Sequence, residues 1–219
     1  VSPSGLTVRR ANEGDVDSVA RLFGVCFPDS VSELFPDGLP RWPLAELLGV
    51  LLRAEPGCCH VAEDDRGIVG YCFSPSDMSR IWIRVLRSAG LRRVVWGIVR
   101  GEVPLHPRRV LALLRDKASF ILSFRSFELR RTGQILSLGV SPEARGRGVG
   151  KMLLQRAIEY LDSSGAYRVK LEVRPDNLPA LRLYEGFGFY PVQCTRDSRG
   201  GWVVMTLPLG DDESCSECD

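Results

Sequence analysis

The sequence predicts an α/β domain built on a sheet of mixed strand direction, and three observations carry that expectation. Strand-like and helix-like runs alternate from Leu6 to Leu207, two pairs of strands are joined by tight turns at Asp64 to Gly67 and Asp197 to Gly201, and a tandem repeat is not evident. No apolar run approaches the ~20 residues that would cross a bilayer. The 219 residues, 44% hydrophobic and 26% charged, are those of an ordinary globular protein. That length suits one domain over residues 1–210 with an insertion at 75–131, followed by an acidic, disordered tail at 211–219.

Leu6 to Arg9 reads as a first strand. Asn12 then offers an N-cap to a helix whose apolar positions Val16, Val19, Ala20, Leu22, Phe23 and Phe27 recur at helical spacing. Pro28 to Pro43 is rich in Pro, Asp, Ser and Gly and is expected as a loop, after which Leu44 to Ala54 forms a second helix stopped by Pro56 and Gly57. Cys59 to Glu63 and Ile68 to Ser74 form a hairpin. Beyond the insertion, Gln134 to Val140 is a buried strand and a helix runs from Gly148 to Ser163. Arg168 to Val173 is a strand, Leu178 to Phe187 a short helix, and Tyr190 to Thr195 and Trp202 to Leu207 close the domain as strands.

The chemistry concentrates where the Gln134 to Val140 strand gives way to a helix, in Val140-Ser-Pro-Glu-Ala-Arg145-Gly146-Arg147-Gly148-Val149-Gly150-Lys151. Three alternate glycines let the backbone turn tightly and gather N–H groups, and the helix adds unpaired amides and the positive end of its dipole. Such a turn receives a pyrophosphate. A P-loop is excluded because Arg145 stands where its first glycine belongs and Met152 where its Ser or Thr belongs. A dinucleotide fingerprint fails on glycine spacing.

Arg145 to Gly150 does fit R-x-x-G-x-G, and here the chain resembles the GNAT N-acetyltransferases, whose acetyl-CoA loop reads Q/R-x-x-G-x-G/A. Asn177, Ala180, Leu183-Tyr184, Gly188 and Phe189 are similar to the family's N-x-x-A-x-x-L-Y-x-x-x-G-F signature. The resemblance spans about Gln134 to Pro191. It implies the GNAT acyl-CoA N-acyltransferase fold, with a mixed central sheet whose fourth and fifth strands splay, and transfer of acetyl from acetyl-CoA to a primary amine. It further implies that Leu138, Gly139 and Val140 bind the pantetheine arm and thioester through their backbone. Arg145, Gly146, Arg147, Gly148, Val149, Gly150 and Lys151 would hold the pyrophosphate, and Tyr184 would protonate the departing thiolate. Asn177 is either the family's cofactor-side asparagine or a helix N-cap. Tyr184 has a plainer reading as a core aromatic beside Phe187 and Phe189. Gln134 to Val140 lacks a carboxylate, so Glu172 is the candidate general base, with a salt-bridged strand residue as the alternative and a water chain as a substitute route. His60 reads as structural and His106 as a loop residue.

The formal net charge of +2 hides an asymmetry, since Arg80 to Arg131 holds twelve arginines and one lysine against Glu102, Asp116 and Glu128. Arg80, Arg84 and Arg87 interleave with Ile81, Trp82, Val85 and Leu86, and Val110 to Phe124 suggests a further helix. Such a segment suits an anionic membrane surface, an anionic acceptor, or a flap with a solvated arginine face. Nucleic acid does not fit, for want of a recognised pattern. The insertion is also similar to that of a GNAT subgroup suited to amino sugars, which favours a small molecule or amino sugar over a protein N-terminus as acceptor. The other class of function this composition allows is a catalytically silent module that binds acyl-CoA or a membrane surface.

Cys26, Cys58, Cys59, Cys72 and Cys194 lie in apolar or strand-like contexts and are expected as buried, reduced thiols. The lone Cys215-x-x-Cys218 lacks two of the four ligands a zinc site needs, so no metal is expected. Val1 to Arg10 lacks a basic stretch followed by an apolar one, so the expected location is cytoplasmic, extending to the inner face of the membrane.

Overall fold

The computed structural model describes residues 5–28, 41–101, 132–197 and 200–210. Strand β1 (Thr7–Arg10) is followed by a 3-10 turn at Glu13–Asp15. Asn12 caps that turn and Asp15 reaches back to the Asn12 amide, a reciprocal capping box that opens α1 (Val16–Cys26). Helix α2 (Arg41–Ala54) starts three residues ahead of the expected Leu44 and so takes Pro43 into its first turn, where a missing N–H is harmless. Strands β2 (Cys59–Asp64) and β3 (Gly67–Phe73) form the expected hairpin. After β3 the chain forms α3 (Met78–Arg87) and α4 (Ala89–Val99). The expected helix at 110–124, His106, Cys215, Cys218 and the tail lie outside the described residues.

The stretch expected as one strand from Gln134 to Val140 is two, β4 (Thr132–Ile135) and β5 (Ser137–Val140), separated only by Leu136. A 3-10 turn at Pro142–Ala144 and the glycine loop lead into α5 (Val149–Ser163), then β6 (Arg168–Val173), α6 (Leu178–Glu185), β7 (Tyr190–Asp197) and β8 (Gly200–Pro208). The strand orders are β1-β2-β3-β5 and β4-β6-β8-β7. These are two four-stranded sheets, and because β4 and β5 are consecutive the chain passes from one to the other at Leu136.

Apolar residues cover both faces of the first strand group. On one side Leu153, Leu154, Ala157 and Leu161 of α5 pack with Ala62, Cys72, Val169, Leu171 and Met205. On the other, Val19 and Leu22 of α1 and Leu48 and Leu52 of α2 pack on Val61, Tyr71 and Phe73. Alternation along β6 sends Val169, Leu171 and Val173 to the α5 side and leaves Arg168, Lys170 and Glu172 on the opposite face.

The cysteine expectation needs correction at two positions. Cys58, Cys59 and Cys72 are buried free thiols, but Cys194 is exposed, because β7 is the outermost strand of its group, and Cys26 is only half-buried.

Candidate active site

The site begins with a change of partner. Through Ile135 the chain pairs in parallel with β6, in register Ile135 with Leu171, and from Ser137 it pairs antiparallel with β3 instead. The Leu136 N–H donates to Phe73 O at 2.8 Å although Phe73 is registered opposite Ser137, so two residues face one. That bulge bends the strand and ends its pairing with β6. Beyond it β6 continues with β8 alone, Glu172 opposite Val204 and Val173 opposite Val203. A cleft therefore opens between β5 and the end of β6.

The β5 wall of this cleft is backbone. Ser141 N–H donates to Val69 O at 2.8 Å, and alternate residues of an antiparallel ladder bond the same neighbour, so Ser137 and Gly139 turn their amides to β3. Leu138 and Val140 turn theirs toward β6. Gly139 is required by close approach: a Cβ there would lie 2.6 Å from the Tyr71 ring and 3.1 Å from Cys26 Sγ. Tyr71 is held by a 2.8 Å hydrogen bond with Ser137 Oγ. The Cys26 thiol thus sits at the cleft mouth, where burial pushes its pKa up against the opposing pull of the Arg145 guanidinium and the Val140 amide.

The glycine loop completes the mouth. Gly146 and Gly148 have φ of 76° and 81°, a conformation a side chain would strain, and a Cβ at either would meet nothing within 4 Å. Conformation, not crowding, demands glycine here. Met152 N–H is the first to reach a carbonyl inside the helix, Gly148 O at 3.1 Å, so the amides of Val149, Gly150 and Lys151 lie ahead of the ladder at the positive end of α5. Arg145 Nε donates to Val140 O at 3.3 Å, tying loop to strand. Arg147 is engaged elsewhere, by Asp64 Oδ2 at 2.8 Å from the β2–β3 turn. These unpaired amides and open glycines fit a pyrophosphate.

Helix α6 closes the cleft from the α5 side. A Cβ on Gly150 would touch Leu183 at 3.4 Å, Val140 at 3.8 Å and Leu138 at 3.9 Å, which brings the loop, β5 and α6 to one place. Tyr184 is buried in the α5-side core with its ring centroid 5.9 Å from that of Phe189. Burial raises its pKa, so the phenol stays protonated across neutral pH. Asn177 caps α6, its side chain accepting from Ala180 N at 3.3 Å. Glu172 stands where β6 leaves β4, with its carboxylate 3.6 Å from Lys170 Nζ. Burial lowers the Lys170 pKa and Glu172 opposes that shift.

Sequence reasoning missed Cys26, Asp64 and Lys170. Lys170 was signalled by its i, i+2 spacing from Glu172, which puts both on one face of a strand. Asp64 and Arg147 are 83 residues apart, and no local signal joins them. Among the described residues no cluster of three or more His, Cys, Asp or Glu could hold a metal, and no helix is long and apolar enough to cross a membrane.

A strand that bulges and parts from its neighbour feeds a glycine loop and a helix N-terminus, an arrangement suited to a nucleotide-type pyrophosphate beside an open strand edge. The profile of the acetyltransferase (GNAT) family matches residues 16–189, and the chain belongs to that family. A mycothiol acetyltransferase of Beutenbergia cavernae is 49% identical over 61 residues, 28% of this chain and 20% of the relative. A [ribosomal protein bS18]-alanine N-acetyltransferase of Salmonella typhimurium is 33% identical over 81 residues, 34% of this chain and 55% of the relative. The chain thus spans about a fifth to about half of the length of these curated relatives. Among solved structures, an N-acetyltransferase of Staphylococcus aureus matches with a TM-score of 0.63 at 13% identity, covering 94% of this chain and all of that one. A putative acetyltransferase of Salmonella typhimurium, solved with its cofactor acetyl-CoA, matches with a TM-score of 0.60 at 16% identity, covering 98% of this chain and all of that one. At those identities the likeness shows the fold.

Proposed function

We propose that this protein is an N-acetyltransferase that moves an acetyl group from acetyl-CoA to the primary amine of a small molecule or amino sugar. The observation that carries the reading is the parting of the strand at Leu136, which turns the Leu138 and Val140 amides toward β6 and runs directly into the Gly146–Gly148 turn. Acetyl-CoA would supply the activated thioester carbonyl. Amides of Val149, Gly150 and Lys151 receive its pyrophosphate, and the Leu138 amide is placed to polarise an acyl oxygen. As the amine nitrogen bonds the acyl carbon, the C–S bond breaks. The amine loses a proton to Glu172, directly or through water, and the sulfur takes one from Tyr184, which burial keeps protonated.

Small-molecule acceptors are favoured by the basic insertion and agree with the mycothiol acetyltransferase relative, whereas the ribosomal-protein relative supports the protein alternative. The test is thiol release from acetyl-CoA over a panel of UDP-amino sugars, polyamines, amino acids and peptide N-termini, alongside calorimetric binding. Turnover on a peptide alone would retire the small-molecule assignment. Acetyl-CoA binding with zero thiol release on every amine would favour the silent acyl-CoA-binding module, a reading encouraged by the engagement of Glu172 with Lys170.

A further inference from the structure

Helices α3 and α4 carry apolar residues on two sides, one packed inward and one facing out. Their inner faces rest on α2: Ile81 is buried with Val50, Leu51 and Leu91, and a Cβ on Gly90 would fall 2.5 Å from Val50 Cγ2. Polar contacts fix the same side, with Arg84 donating to Ala54 O and Arg93 lying 3.7 Å from Glu46. Facing away are Ile83, Leu86, Val95 and Trp96, exposed by 52%, 67%, 49% and 56%. A soluble amphipathic pair would keep such residues inward.

Arginines accompany the apolar residues on that outer surface. Counting 100° per residue from Ile81, Ile83, Leu86 and Arg87 lie on the far side of α3, and the same count from Gly90 puts Arg92, Val95 and Trp96 on the far side of α4. Arg100 lies over the Trp96 ring at 5.4 Å. From Met78 to Gly101 the chain holds six arginines and no carboxylate. This charge decides between occupants. A second copy of the same face would set arginines against arginines. Nucleic acid would answer the charge but leave Ile83, Leu86 and Val95 wet. An anionic bilayer surface answers both, taking the guanidinium groups at its headgroups and the apolar side chains beneath them.

We propose that α3 and α4 form a docking face for an anionic lipid surface, independent of the acyl-transfer site. Sedimentation of the full chain with phosphatidylcholine vesicles, with or without a quarter phosphatidylglycerol, tests it. Binding should be at least about ten-fold tighter on the anionic vesicles at low salt, and each arginine removed in Arg87→Gln and Arg92→Gln should weaken it about five-fold. Leu86→Glu with Trp96→Glu should weaken it at least about ten-fold while acetyl-CoA affinity, a check on folding, is unchanged. Trp96→Phe should reduce the vesicle-induced blue shift of tryptophan emission. Equal binding to neutral vesicles, no binding to either, or a preference for duplex DNA or an acidic polypeptide over anionic vesicles would overturn the proposal.

Discussion

The two ends of α5 solve opposite problems with one helix. At its N-terminus the capping residue is Gly148, with no side-chain cap, and the first amides stand ahead of the helical ladder beside open space. Eleven residues after Val149, Tyr160 is locked: its hydroxyl donates to Glu55 Oε1 at 2.7 Å, its ring meets His60 edge-on at 6.0 Å, and Gly57 approaches so closely that a Cβ there would lie 3.1 Å from the ring. The same Glu55 oxygen also accepts from Ser76 N at 2.7 Å, which ties the segment between β3 and α3 to this anchor. Backbone left unpaired at one end can be afforded because side chains hold the other, so substitutions at the two ends should separate binding from stability.

The largest separation should come from His60. Its Nδ1 is buried without a partner, and burial, reinforced by Arg10 and Arg156 and opposed by Glu159, depresses its pKa to about 4. A histidine that resists protonation only when folded contributes stability that is present above its ordinary pKa near 6.5 and is lost as pH falls from there toward 4. The loss should be on the order of 3 kcal/mol. Urea unfolding of the wild type and His60→Gln across pH 7 to 4 measures it: the wild type should lose more stability on acidification, and parallel curves would refute the assignment.

Next in size is Tyr160→Phe. Removing a hydroxyl that donates to a carboxylate should lower stability by roughly 2 kcal/mol, because among the described residues Glu55 then keeps the Ser76 amide alone. Acetyl-CoA affinity should not change. A drop in affinity comparable to the drop in stability would mean that the two ends of α5 are coupled.

At the open end the converse is expected. Gly148→Val forces a β-branched residue to a φ of 81°, and a strain of about 1 to 2 kcal/mol should weaken acetyl-CoA binding by roughly five- to thirty-fold. Urea midpoints should move less than for Tyr160→Phe if the loop can rearrange. Tyr184→Phe tests the chemistry above this binding: kcat should fall by ~100-fold or more with acetyl-CoA affinity nearly intact.

The contrast between the ends also explains what could be read from the residues in order. Arg145 to Lys151 announces itself because every element of the binding turn lies within seven positions, and the strands that carry it follow from local alternation. The resemblance implied a splay, but its place was not legible, since Gln134 to Val140 is one apolar run and only the exchange of β6 for β3 as partner breaks it at Leu136. The anchor was hidden for the same reason: Tyr160 and Glu55 are 105 residues apart. Local motifs reveal the ligand-facing backbone, while partners chosen by the fold reveal what holds it.

Asp64 offers the smallest and sharpest test, because it joins a fold-chosen partner to the open end. Its carboxylate holds Arg147 at 2.8 Å, and that hydrogen bond lowers the Asp64 pKa. Arg147 is more than a third exposed, so the pair is screened and its release should alter little. Asp64→Asn removes a negative charge from beside the loop and frees a guanidinium near the amides of α5. Acetyl-CoA affinity should therefore rise, by less than about five-fold at low salt, and the gain should vanish at high salt. A loss of affinity would mean that Asp64 holds Arg147 in the position that binding needs, making the loop's geometry a product of the β2–β3 turn as well as of its own glycines.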